Sequence, residues 1–139
     1  MADAPANLAK KKNGCLPYKH ILIVEDEPMI RDTLRSLLEM EGFVVYTAIN
    51  GLDGLRLLHE VPHPCLILLD LMMPVMNGQE FLAAKKLDDA IASIPVCVVS
   101  GAADAGNVSG VSGFVRKPFE MGALLKFIRC YCQSKLGAQ

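Results

Sequence analysis

From His20 onward, short apolar runs alternate with segments of helical period. His20-Ile21-Leu22-Ile23-Val24 and the runs at 43–47, 65–69, 95–99 and 114–116 read as strands, each apolar or β-branched and bounded by turn residues. Pro28 suits the first position of a helix. Ile30, Leu34, Leu37 and Leu38 then keep helical spacing until Gly42 stops it. Leu52, Leu55 and Leu58 mark a second helix over 51–61, and a third is predicted over 78–88. Met121, Leu124, Leu125 and Ile128 mark a last one. The strands are apolar throughout rather than alternating, which predicts a sheet covered on both faces. That is a doubly wound α/β unit with parallel strands and right-handed crossovers. Periodicity leaves the strand order open. It does place a site, outside the carboxyl ends of the strands.

A chain of 139 residues suits one such domain. Residues 1–18 carry no periodicity and include Lys10-Lys11-Lys12, so they read as a flexible leader, with the domain over 19–136. Fourteen Lys and Arg against fifteen Asp and Glu give a net charge of −1, which argues against direct nucleic-acid binding. No apolar run approaches the roughly 18 residues of a membrane span, and the start lacks the apolar stretch of a secretory signal. A cytoplasmic location is expected. The five cysteines show no disulfide-framework spacing. Cys65 and Cys97 read as buried thiols, and Cys130 and Cys132 as helix residues on different faces.

The residues that follow each strand carry the chemistry. After the first come Glu25, Asp26 and Glu27. Asp70 follows the third, Ser100 and Gly101 the fourth, and Lys117 and Pro118 the fifth. In a parallel sheet these ends lie on one side. Carboxylates gathered there repel, and a divalent cation relieves the conflict. All-oxygen ligands favour a hard ion, and Mg²⁺ suits a few carboxylates plus a phosphoryl oxygen. A lysine and a hydroxyl would complete a site for a tetrahedral dianion held against Asp70, and carboxylates do form acyl phosphates. Glu27, just before Pro28, reads as a helix-capping residue. A haloacid-dehalogenase-type phosphatase would want a second aspartate where Met72 stands. No P-loop is present, and the acids after the first strand would repel a flavin phosphate.

Four segments, in order, resemble the receiver domain of two-component response regulators. They are Ile21 to Pro28, Leu68 to Pro74 with Asn77-Gly78, Val98-Val99-Ser100-Gly101, and Phe114 to Phe119. The resemblance implies a flavodoxin-like five-stranded sheet of order 2-1-3-4-5. It implies Asp70 as phosphoacceptor. Asp26 would ligate Mg²⁺ directly, Glu25 largely through a water, and Met72 through its backbone carbonyl. Lys117 would pair with the phosphoryl group, across a cis Lys117–Pro118 bond. Ser100 would hydrogen-bond the phosphoryl group, and Phe114 would be the aromatic switch residue that follows it inward. The implied donor is a sensor histidine kinase or a histidine phosphotransfer protein, with an unidentified downstream protein as the target. The alternative function is a receiver-fold scaffold acting independently of phosphorylation.

Two departures stand out against that pattern. Only 17 positions separate Ser100 from Lys117, and the segment between them is glycine-rich, so the fourth helix is expected to be shortened or missing. Met72 and Ala102 occupy positions where a polar side chain would orient an attacking water, so self-dephosphorylation is expected to run unassisted by them.

Overall fold

The computed structural model describes residues 19–101 and 108–137. Five strands, β1 His20–Val24, β2 Val44–Ala48, β3 Leu66–Leu69, β4 Val96–Ser100 and β5 Gly113–Arg116, form one sheet in the order β2-β1-β3-β4-β5. Every neighbouring pair is parallel. This is the flavodoxin-like doubly wound arrangement. The helices among the described residues are α1 Pro28–Met40, α2 Gly51–Leu58, α3 Gly78–Lys86 and α4 Met121–Gly137.

Strand alternation divides the core in two. Leu22, Val24, Ile67, Leu69, Val96 and Val98 face the side covered by Leu58 of α2 and Phe81 of α3. Ile21, Ile23, Leu66, Leu68, Cys97 and Val99 face Leu34 and Leu38 of α1 and Leu124 and Ile128 of α4. Full burial of such a side chain stabilises by about 1.5–3 kcal/mol, so the apolar runs themselves supply most of the driving force.

Helix ends follow their local chemistry. Pro28 opens α1, and Gly42 follows its end at φ +95, a conformation only glycine adopts freely. Asn50 caps α2 by accepting from the Asp53 N–H. Asn77 and Glu80 form a reciprocal capping box on α3. Glu27 holds the N-cap position of α1, but its side chain makes no capping bond. The Glu27 N–H itself donates to the carboxylate of Glu25 at 3.1 Å.

Between β4 and β5 the described residues, 101 and 108–112, contain no helix. Residues 102–107, and with them Ala102, lie outside the described residues, as does the leader at 1–18.

The cysteines require one correction. Cys65 is not a free thiol: it is bonded to Cys132, with Cα atoms 5.3 Å apart across 67 positions of sequence. The partners come from the start of β3 and from α4, two elements brought together only by the packing of α4 on the sheet. Cys97 is a buried free thiol, pushed up to about 12 by burial. Cys130 is exposed while Cys132 is buried, so the two do lie on different helix faces.

Candidate functional site at the carboxyl edge of the sheet

Three of the site residues are each held by one more rung of the parallel ladder. The Glu25 N–H donates to the Ala48 carbonyl, that of Asp70 to Val24, and that of Lys117 to Ser100, all at 3.0 Å. The backbone is therefore fixed one residue past each strand, where the side chains turn from the core to the sheet edge. Glu25, Asp26, Asp70, Met72, Ser100 and Lys117 line one open cleft there.

Glu25, Asp26 and Asp70 each offer a carboxylate oxygen within 4.8 Å of the others. Glu25 and Asp70 are buried, at 3% and 6% exposure, and Asp26 is half-buried. Lys117 Nζ lies 3.0 Å from Glu25 Oε1 and 3.6 Å from Asp70 Oδ1. Three carboxylates against one ammonium leave two formal negative charges in a small space. Burial pushes the Glu25 carboxyl above the ordinary range; the Lys117 hydrogen bond opposes this and Asp70 adds to it. Asp70 is also raised, first by burial, with Lys117 and the Met72 and Leu71 N–H groups pulling back and Asp26 pushing further. The cluster thus has the size, charge and donor chemistry to accept a hard divalent cation.

Both oxygens of Glu25 already have protein partners, Lys117 and the Glu27 N–H. The Met72 side chain is exposed. Ser100 is fully buried at the end of β4. Alternation puts it on the face of Val96 and Val98. Phe114, in register with Val98, shares that face and is half-buried against the same cluster as Val108 and Val111. The Arg116 guanidinium sits 5.8 Å from the Phe114 ring centroid. The Lys117–Pro118 peptide bond is cis.

Three further features support the site. A Cβ on Gly78 would meet the Asp70 carbonyl at 2.6 Å, so only glycine lets α3 start against the backbone of the Asp70 turn. In that turn Val75 adopts φ 67, with the Met76 N–H donating to the Pro74 carbonyl at 2.7 Å. This is a tight three-residue turn that a β-branched residue strains. Arg31 reaches back from α1 to the backbone carbonyls of Glu25 and Asp26. Asn77-Gly78 is among the residues that carry the resemblance, but nothing in residue type or spacing marks Val75 or Arg31.

The family model for the response regulator receiver domain matches residues 21–129. The chain belongs to that family, whose members work in two-component signal transduction. It is 34% identical to the probable transcriptional regulator ycf29 of Pyropia yezoensis over 81% of its own length and 52% of that protein's. It is 34% identical to protein PilG of Pseudomonas aeruginosa over 82% of its own length and 87% of PilG. The chain thus spans about half of the transcriptional regulators it matches first and most of PilG. The response regulator protein TrrA of Thermotoga maritima, solved in complex with Mg²⁺-BeF, superposes with a TM-score of 0.72 at 26% identity, covering 81% of this chain and 98% of TrrA. Among the described residues no helix is long and apolar enough to cross a membrane.

Proposed function

We propose that the unit over residues 19–136 accepts a phosphoryl group from a phosphohistidine onto Asp70, with Mg²⁺ held at the acidic cleft, and so switches its affinity for a downstream protein. The observation that carries this reading is the buried Asp70 carboxylate, framed by Glu25, Asp26 and Lys117 within a few ångströms. An Asp70 oxygen attacks phosphorus in line with the scissile bond. The P–N bond breaks and the imidazole of the donor leaves. Asp26 would ligate the ion directly, with Met72 contributing its carbonyl. Glu25 would act through water, in keeping with its two occupied oxygens. The ion would neutralise the charge that builds up between carboxylates and phosphoryl oxygens. Lys117 gives up its contact with Asp70 for a phosphoryl oxygen. Ser100 donates its hydroxyl to another, and Phe114 follows it on the same sheet face. The protein is not a conventional enzyme: it catalyses only its own aspartyl phosphorylation and dephosphorylation.

The donor would be a sensor histidine kinase or a histidine phosphotransfer protein in the cytoplasm, and the target a protein rather than nucleic acid or membrane. That TrrA, of the same fold, was solved in complex with Mg²⁺-BeF supports a divalent-cation site in this chain. Intact-mass spectrometry after incubation with acetyl phosphate tests the reading. A single phosphoryl adduct should form with Mg²⁺, and be absent with chelator and in Asp70→Asn. A folded wild type that takes up phosphoryl from neither acetyl phosphate nor a phosphohistidine protein would favour a phosphorylation-independent scaffold.

A further inference from the structure

The guanidinium of Arg31 is bonded to main-chain oxygen rather than to an acid. Its Nη1 donates to the Glu25 carbonyl at 2.8 Å and to the Asp26 carbonyl at 3.2 Å. Among the described residues it joins no ion pair. Long side chains on a helix run back toward its N-terminus, which is how a residue in the first turn of α1 reaches carbonyls that precede the helix. Those carbonyls belong to the segment that leaves β1, presents Glu25 and Asp26 to the cleft, and turns into α1. The Arg31 guanidinium is the group that holds both of the segment's successive carbonyls, those of Glu25 and Asp26. Glu27 supplies no side-chain cap, and Pro28 has no N–H to give. The segment's ties are the Glu25 rung to Ala48, the Glu25 carboxylate on the Glu27 N–H and on Lys117, the Glu27 carbonyl on the Arg31 N–H, and the Arg31 guanidinium.

We infer that Arg31 is a positioning residue for the acidic cleft: by holding two successive carbonyls it sets the Glu25 and Asp26 carboxylates in place for the divalent cation. It touches no reacting atom. The inference rests on the proposed role of that cation and adds a residue that the cleft does not contain. Two effects of Arg31 oppose each other. Its positive charge beside the acids disfavours a second cation, while its bonds pre-order the ligands. Bonds to a charged donor are the stronger kind, and the guanidinium is only part-buried, so water screens its charge. Ordering therefore outweighs repulsion. Lysine keeps the charge, but its nitrogen stands one bond short of Nη1 and lacks the planar fork that fixes the direction of the donors.

The test is a Mg²⁺ titration of the unphosphorylated protein followed by NMR, with the rate of adduct formation from acetyl phosphate measured across the same Mg²⁺ range. The variants are Arg31→Met, Arg31→Lys and, as a control one turn further along α1, Arg35→Met, which removes only an exposed pair with Glu39. Thermal melts establish that each is folded. Arg31→Met should weaken Mg²⁺ binding about five- to tenfold, with Arg31→Lys in between and Arg35→Met unchanged. The adduct rate of Arg31→Met should return to within about twofold of wild type at saturating Mg²⁺, because the ion re-orders the segment that Arg31 no longer holds. A merely structural loss would lower the melting temperature without that recovery. Equal or tighter Mg²⁺ binding by a folded Arg31→Met would overturn the inference while leaving the proposed function intact. A wild type that binds no Mg²⁺ would overturn both.

Discussion

At its amino end β3 is preceded by Cys65, bonded to Cys132 of α4; at its carboxyl end it is followed by Asp70, crowded by two other acids and a lysine. Four buried residues separate these environments. The first end ties the strand to its neighbours, and a covalent link there closes 67 positions of chain. The second gathers like charge in an open cleft, places a valine at positive φ a few residues on, and starts a helix hard against the backbone. The lesson is a division of labour along one strand. Order is concentrated where no chemistry is needed, and the groups that repel each other sit where a ligand can compensate them.

Substitutions at the two ends should therefore separate function from stability. The largest effect is expected from Asp70→Asn, which abolishes the phosphoryl adduct. The same variant should melt higher than wild type at neutral pH without Mg²⁺. The folded protein holds the Asp70 and Glu25 protons more tightly than the unfolded chain does. These two acids therefore lower stability as pH rises from their ordinary values, 3.8 and 4.5, through their raised ones. Melting temperature against pH should show that fall in wild type and less of it in Asp70→Asn. An identical pH profile in the two would show that the burial of Asp70 carries no electrostatic cost.

Next comes the other end. Cys65→Ser removes the cross-link and should cost about 4 kcal/mol in the chain-entropy account, roughly 10–15 °C in Tm for a domain of this size. Its adduct rate should match wild type, since Asp70 lies beyond the far end of the strand. A slowed adduct would break the comparison by showing that the two ends communicate. The smallest effect belongs to Val75→Gly, which relieves the strained turn and should stabilise by about 1 kcal/mol in denaturant melts. Met72→Asn sharpens the chemistry alone: an amide beside the phosphoryl group should speed loss of the adduct, measured as its decay after the donor is removed.

Much of this was legible in the chain. Continuous apolar runs gave five parallel strands and the edge at which Glu25, Asp26, Asp70, Ser100 and Lys117 meet, because parallel strands place every carboxyl end on one side. The short glycine-rich link after Ser100 pointed to a reduced fourth helix, and none occurs among the described residues there. The Cys65–Cys132 bond could not be read in the same way. It depends on how α4 lies across the start of β3, and a separation of 67 residues carries no local signal. Arg31 escaped for a similar reason: a charged residue on a helix normally faces water, and only the folded backbone shows it reaching two carbonyls. The Glu27 cap failed because glutamate is not among the side chains that cap well, and its carboxylate makes no capping bond.

The central claim is that Asp70, among three neighbouring carboxylates, is the one that takes the phosphoryl group. The direct measurement is reductive trapping: borohydride converts an acyl phosphate to an alcohol, and tandem mass spectrometry then reads which residue has changed. The account predicts homoserine at position 70 alone, formed only when Mg²⁺ and a phosphodonor were both present. Reduction at Glu25 or Asp26, or trapping at position 70 that persists in chelator, would contradict it.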